Sequence, residues 1–407
     1  MKIQRLTLPN GIRLVHQHNG GNVAHCGVLL NTGSRDESES EHGIAHFIEH
    51  VIFKGTEKRD VFQVLNRLED VGADLNAYTT KEDTCVYASF LNRYYERTLE
   101  LISDVLFHST FPREELEKEK VVVIDEIKSY KDSPGDQIID DFEDLVFSGH
   151  SLGRNILGTP GNIRRLKGND IRNFILNNYN TDQIVISSIG NISFQRITAL
   201  VLKYFGGIPA SPRKAERVPF NTYQPVKIIK KRKIFQTHCT LGGLAYSAKA
   251  VRRFPLSFLN NILGGPTLNS RLSLALREKN GLTYNIESNY TPYTDTGIIT
   301  IYFGTGSELL EKALSITHQE LAILRERKMS ETALNKARKQ LIGQMAIGQE
   351  SKASQMLANG KSILVNDEII PFPDLVMIVE NITASQLMET ANEIFPAQQL
   401  SSLIFQS

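Results

Sequence analysis

His46, Glu49 and His50 lie three and four residues apart in the stretch His42-Gly-Ile-Ala-His-Phe-Ile-Glu-His-Val-Ile-Phe-Lys-Gly55. That spacing puts all three on one side of a single helical turn. Two neutral imidazoles beside a carboxylate are what a catalytic zinc requires: two ligands, and a base next to the attacking water. The order His-x-x-Glu-His reverses the commoner His-Glu-x-x-His arrangement. The same helix carries an apolar stripe of Ile44, Phe47, Ile48, Val51 and Ile52, and Gly55 is placed to terminate it. The fold therefore has to bury one face of this turn and leave the other open. Upstream, Asp36-Glu-Ser-Glu-Ser-Glu41 supplies carboxylates and hydroxyls that cap free N–H groups at a helix start.

A chain of 407 residues is too long for one core and suits two domains. Its formal net charge of +1 gives no dense basic stripe, so neither nucleic acid nor an anionic membrane is expected as a partner. The one cationic run, Lys230-Lys-Arg-Lys233, leads towards an apolar segment and reads as a solvated strand entrance. Cys26, Cys85 and Cys239 are odd in number, far apart and set in apolar surroundings, which points to reduced, buried thiols. No signal-like start and no apolar run of about 18 residues is present. The expected location is cytoplasmic.

Alternation predicts strands at 3–8, 12–17, 23–31, 84–90 and 183–189. The helical period predicts helices at 61–71, 93–107, 113–130, 137–147, 163–176 and 196–205. Residues 205–219 are rich in Gly, Pro and charge and read as a linker. Beyond it the order recurs, with strands at 237–244, 284–290 and 297–303 and helices at 256–263, 308–325 and 331–345. His25-Cys26 and His238-Cys239 occupy similar strand positions, so the chain reads as an internal duplication. The expected fold class is α+β: two duplicated domains, each a mainly antiparallel sheet packed with helices. The expected division is 1–210, a linker at 211–222, and 223–407, with metal chemistry only in the first half.

A catalytic zinc takes a third protein ligand. The helix over 113–130 offers Glu119 and Glu126, seven apart and so on nearly one face, while Asp125 points about 100° away. His42 continues the i, i+4 series and is a rival. However, three histidines along one helix do not converge on a tetrahedral ion, and His42 ranks behind Glu126.

Taken together, His46-Phe-Ile-Glu-His50 with Phe53-Lys-Gly-Thr56, Asn76-Ala-Tyr-Thr79, Glu119 to Ile127 and Leu152-Gly-Arg-Asn-Ile-Leu-Gly158 resemble the pitrilysin/insulinase family of inverted-motif zinc peptidases. Processing peptidases and their bacterial relatives are the nearest in style. Leu263-Gly-Gly265, Arg277-Glu-Lys-Asn-Gly-Leu-Thr-Tyr284 and Tyr302-Phe-Gly-Thr305 extend the resemblance into the second half. It implies that His46, His50 and Glu126 hold one Zn2+ per chain and that Glu49 is the general base. Glu119 is implied to be an auxiliary carboxylate, orienting a ligand or handling protons. Asn76 and Ala77 are implied to pair with substrate backbone on an edge strand, and Arg277 with Tyr284 to hold the substrate carbonyl.

In four-domain relatives that Arg/Tyr pair comes from the last domain. The resemblance therefore implies a homodimer of clamshell halves, or a heterodimer with a related chain, closing on peptide substrates. Pro266-Thr-Leu-Asn269 departs from the smaller residues usual there, and no long Gly-rich loop is present. A non-catalytic scaffold subunit is the competing expectation. It is disfavoured because no motif residue has been lost.

Overall fold

The protein is described over residues 3–407 by a computed structural model. In chain order the strands are β1 (Ile3–Thr7), β2 (Arg13–His18), β3 (Val23–Leu30), β4 (Asp74–Thr79), β5 (Thr84–Leu91), β6 (Ile184–Gly190), β7 (Lys227–Lys231), β8 (Thr237–Ala245), β9 (Thr283–Pro292), β10 (Gly297–Thr305) and β11 (Ser401–Gln406). The helices of the first half are α1 (Ile44–Val51), α2 (Val61–Glu69), α3 (Tyr95–Phe107), α4 (Arg113–Lys131), α5 (Pro134–Val146), α6 (Pro160–Arg165), α7 (Gly168–Asn178) and α8 (Phe194–Phe205). Those of the second half are α9 (Arg253–Gly264), α10 (Leu310–Glu326), α11 (Glu331–Gly348), α12 (Lys352–Asn366), α13 (Phe372–Asn381) and α14 (Ala384–Ile394). Among the described residues no helix is long and apolar enough to cross a membrane.

One compact unit comprises Met1–Lys128, Arg154–Arg217 and Gly348–Ile369. Its six-stranded sheet runs β1-β2-β6-β3-β5-β4, antiparallel except for the parallel pair β2/β6. Strand alternation divides its apolar residues between two layers. Ala24, Cys26, Val28 and Leu30 face a core built with Ile44, Phe47, Ile48 and Val51 of α1 and with α3, α7 and α8. Leu29, Val15, Cys85 and Val185 face the opposite way and pack on Ile363 and Leu364 of α12. Covered on both sides, β6 is buried at every position, which explains its unbroken run Ile-Val-Ile-Ser-Ser-Ile.

The other unit comprises Ser129–Gly153, Val218–Ile347 and Ile370–Ser407. Its sheet runs β7-β11-β8-β10-β9, with β7/β11 parallel and the rest antiparallel. This repeats β2-β6-β3-β5-β4 strand for strand, parallel pair included, and puts the buried Cys26 and Cys239 on equivalent strands. One face packs on α9, α10 and α14, and the other on Ile138, Phe142 and Val146 of α5. The α+β class and the duplication read from the sequence are both present.

The compact units differ from a division at 211–222 in two segments. Residues 129–153, with α5, belong to the second unit, and residues 348–369, with α12, belong to the first. Each sheet has two apolar faces, and the second face is covered by a helix encoded in the other half of the chain. The linker is also partly structured, because Arg213 and Arg217 lie on the first unit. Arg217 bonds both Asp36 oxygens at 2.9 and 2.7 Å and the Glu82 carbonyl at 2.7 Å, and Arg213 bonds Asp36 at 2.6 Å.

Two smaller expectations are corrected. Lys230 and Lys231 end a strand and do not open one; β7 is an edge, where alternate lysines can stay solvated. The single helix expected at 163–176 is two, broken where Leu166 and Lys167 adopt extended ψ values of 135° and 162°.

Candidate metal centre

Helix α1 starts at a glycine, whereas its C-cap is Ile52 with helical φ/ψ, so Gly55, expected to terminate the helix, lies three residues further on. Gly43 at the N-cap has φ +95°, and a Cβ there would meet Gly158 Cα at 2.8 Å, so the position needs glycine for conformation and for space. Gly55, at φ +125°, turns the chain after the helix. Glycine offers no capping side chain, and Glu37 takes over that role from six residues upstream. Its two carboxylate oxygens accept the N–H groups of Gly43 and Ala45, each at 2.9 Å. Burial pushes the Glu37 pKa up to about 8, against the pull of those two donors and of Arg154.

The turn so fixed presents His46 Nε2 and His50 Nε2 towards one oxygen of Glu126 on α4, at 3.8 and 3.5 Å. His46, His50 and Glu126 are the one group among the described residues whose donor atoms could share a metal, all lying within 4.8 Å of one another. Zinc bonds of about 2.0–2.2 Å in a tetrahedron put neighbouring donors about 3.4 Å apart, so the set fits the ion and leaves a fourth position free. His46 Nδ1 is buried and has no partner among the described residues, which leaves Nε2 as the donor atom His46 can offer. Burial, and then His50, holds the His46 pKa down at about 4, so its imidazole is neutral at pH 7, as ligation requires. His42 is not part of the cluster, because its Nε2 donates to the Asn155 carbonyl at 2.7 Å. Asp125 pairs with Lys128 on the outer face of α4.

Glu49 lies half-buried between the two histidines in sequence, and burial raises its pKa. The Thr79 hydroxyl and His50 pull it back, and Glu126 pushes it further up. Tyr179 is buried close enough to feel the Glu49 charge. Glu119 accepts His50 Nδ1–H at 3.2 Å and the Lys54 ammonium at 2.8 Å, using one oxygen for each. Both oxygens of Glu119 are thereby engaged. A second carboxylate of this kind fixes the histidine tautomer. Asn76 and Ala77 sit on β4, the edge of the first sheet, paired with Tyr87 and Val86 on one side and open on the other.

Arg277 and Tyr284 belong to the second unit. The Arg277 guanidinium stacks over the Tyr284 ring at 4.9 Å, and Tyr284 is 75% exposed on β9, the edge strand equivalent to β4. Both line a cavity of about 1050 Å³ within that unit, with Glu287, Tyr302 and His238. The equivalent of α1 there is α9, packed on β9, which has neither histidine nor glutamate.

The profile of the insulinase family, peptidase family M16, matches residues 13–160, and that of the peptidase M16 inactive domain matches 165–341. An uncharacterized zinc protease of Bacillus subtilis (strain 168), YmxG, is 34% identical over 99% of this chain and 98% of its own length. The chain belongs to peptidase family M16. Another M16 relative, an uncharacterized zinc protease of Streptomyces coelicolor, is 30% identical over 99% of this chain and 89% of its own length. Among solved structures, a peptidase M16 inactive domain from Pseudomonas fluorescens superposes with a TM-score of 0.92 at 20% identity, covering 100% of this chain and 99% of that one. A protease from Helicobacter pylori gives 0.91 at 21% identity, with both chains fully covered. These two show that the M16 two-domain fold is shared. The half matched by the inactive-domain profile is the half whose helix α9 lacks ligands.

Sequence reasoning gave no role to Lys54, Glu37 or Tyr179 individually. Lys54 sits in the Phe-Lys-Gly-Thr run and Glu37 in the acidic stretch, so each was visible as a residue type. The partner of each lies far off in sequence or reaches back to a backbone N–H group, which no spacing rule marks.

Proposed function

We propose that this M16 chain is a zinc-dependent endopeptidase cutting peptides or unfolded polypeptide segments. The observation that carries the reading is the convergence of His46 Nε2, His50 Nε2 and Glu126 Oε2 beside a half-buried carboxylate, Glu49. Bound there, zinc would lower the pKa of water and polarise the scissile carbonyl. Glu49 takes a proton from the attacking water and later passes it to the leaving amine. Its raised pKa suits a group that must hold that proton near neutrality. The open side of β4 at Asn76 and Ala77 takes an extended substrate as an added strand. Such pairing uses main-chain groups and tolerates many sequences.

Arg277 and Tyr284 serve the substrate carbonyl and its oxyanion, supplied by a second copy in a homodimer; a related chain supplying them in a heterodimer is the alternative arrangement. A cytoplasmic setting is supported by three free, buried cysteines. The inactive-domain name of the second matching profile favours one competing reading, a scaffold subunit. That profile covers 165–341, whereas all three proposed ligands lie in 13–160.

Replacing Glu49 by Gln should leave one zinc per chain and abolish digestion of a peptide mixture, read by mass spectrometry with and without chelator. Cleavage that survives in Glu49→Gln would refute the assignment. Mixing Glu49→Gln chains with Tyr284→Phe chains should restore part of the activity. A proven mixed dimer that stays inactive would place each site within one chain.

A further inference from the structure

Lys54 follows α1 in the turn that Gly55 reverses, and that turn is held to the start of α4's approach. Thr56 bridges to Ser109, and Thr110 N–H donates to the Gly55 carbonyl at 3.1 Å. The backbone at Lys54 is therefore fixed, and its ammonium lies 2.8 Å from Glu119 Oε1, with the lysine side chain 25% and the glutamate 11% exposed. The other oxygen of the same carboxylate takes His50 Nδ1–H at 3.2 Å.

We propose that Lys54 is a positioning residue of the metal site. Building on the zinc reading above, its ammonium locks the Glu119 carboxylate in the orientation that accepts His50 Nδ1–H. This leaves the Nε2 lone pair of His50 aimed at the ion. Glu119 has three side-chain torsions and, among the described residues, no other lysine or arginine on it, so without Lys54 the carboxylate can turn away or swing onto the metal itself. The bland account of Lys54 is a cation at the C-terminal end of α1, where it would interact favourably with the last carbonyls. That account gives it no influence on metal affinity through Glu119.

Two effects of removing the ammonium oppose one another. Loss of positioning weakens zinc binding, as loss of outer-shell partners generally does by about 10–100-fold. Loss of a positive charge near a dication strengthens it. The sign of the change therefore discriminates. Zinc affinity is measured by competition with a chromophoric chelator for the parent, K54M, K54R, E119A and K54M/E119A, each first checked for folding by thermal melting.

The proposal predicts that K54M binds zinc about tenfold more weakly, at the low end of outer-shell effects. K54R, which keeps a cationic donor, should recover most of that loss. In the E119A background K54M should no longer weaken binding, because the group it positions is gone and only the opposing charge effect is left. An unchanged or tighter site in K54M overturns the proposal, as does an equal shift in both backgrounds. A parent protein that binds no zinc would instead remove the functional reading on which the proposal rests.

Discussion

Glu37 is the most telling residue to perturb, because it holds the turn of the candidate metal site without touching His46, Glu49, His50 or Glu126. Its carboxylate is 4% exposed and receives two backbone N–H groups, from Gly43 and Ala45. In Glu37→Ala both donors lose their acceptor inside the protein, and with a pKa of about 8 that acceptor is mostly the neutral acid at pH 7. Leaving a buried donor unsatisfied costs about 1–3 kcal/mol, so the lower bound for two is about 2 kcal/mol. Helix α1 has only 8 residues and no capping side chain of its own. The loss should therefore appear first as local opening of that helix. At 1.36 kcal/mol per factor of ten, it corresponds to amide exchange about 30-fold faster. The assay is hydrogen exchange by mass spectrometry on peptides spanning 43–51, in chelated protein so that bound metal does not mask the effect. Glu37→Gln keeps one acceptor oxygen and should fall between the two. Exchange within threefold of the parent in Glu37→Ala would refute the capping argument.

Gly43→Ala should be at least as damaging, since it forces a side chain into φ +95° and against Gly158; loss of zinc together with a lowered melting temperature is expected, and a parent-like melt would contradict it. His16 is fully buried, with hydrogen bonds to Ser188 and the Ile192 carbonyl, and burial lowers its pKa from 6.5. Its neutral form is the one the fold accommodates, so its contribution is complete above pH 6.5 and is lost as pH falls below that value. The melting temperature should drop on acidification from pH 6.5 and drop less in His16→Gln; identical slopes would sink this account. Arg217→Ala should release the stretch that follows Arg213, which keeps its own bond to Asp36, read as faster limited proteolysis at 214–222. Unaltered cutting there would show that other contacts hold the segment.

The turn of His46, Glu49 and His50 was legible because its spacing is local: residues three and four apart must share a helix face, whatever surrounds them. The third ligand was only half legible. Helical spacing put Glu119 and Glu126 on one face without choosing between them, and the resemblance assigned the ligand role to Glu126; in the folded chain Glu126 meets His50 Nε2 and Glu119 meets Nδ1. The duplication could be read because strand order repeats.

The exchange of α5 and α12 between units could not be read. Periodicity shows that Ile138, Phe142 and Val146 form a stripe, but not which sheet that stripe covers. Helices α12 and α13 carry no clear periodic signal, because Gly360 and Pro373 interrupt their apolar residues. Lys54 escaped notice for a related reason: a lone cation after a helix matches a common surface pattern, and its meaning comes from a carboxylate 65 residues away.

The central claim is that His46, His50 and Glu126 together hold one catalytic metal. Anomalous diffraction at the zinc edge, from crystals of zinc-loaded protein, tests it most directly. The account predicts one peak per chain about 2 Å from His46 Nε2, His50 Nε2 and a Glu126 oxygen, with Glu119 outside bonding distance. A peak elsewhere, or a zinc-loaded protein in which Glu126 stands away from the ion, would contradict it.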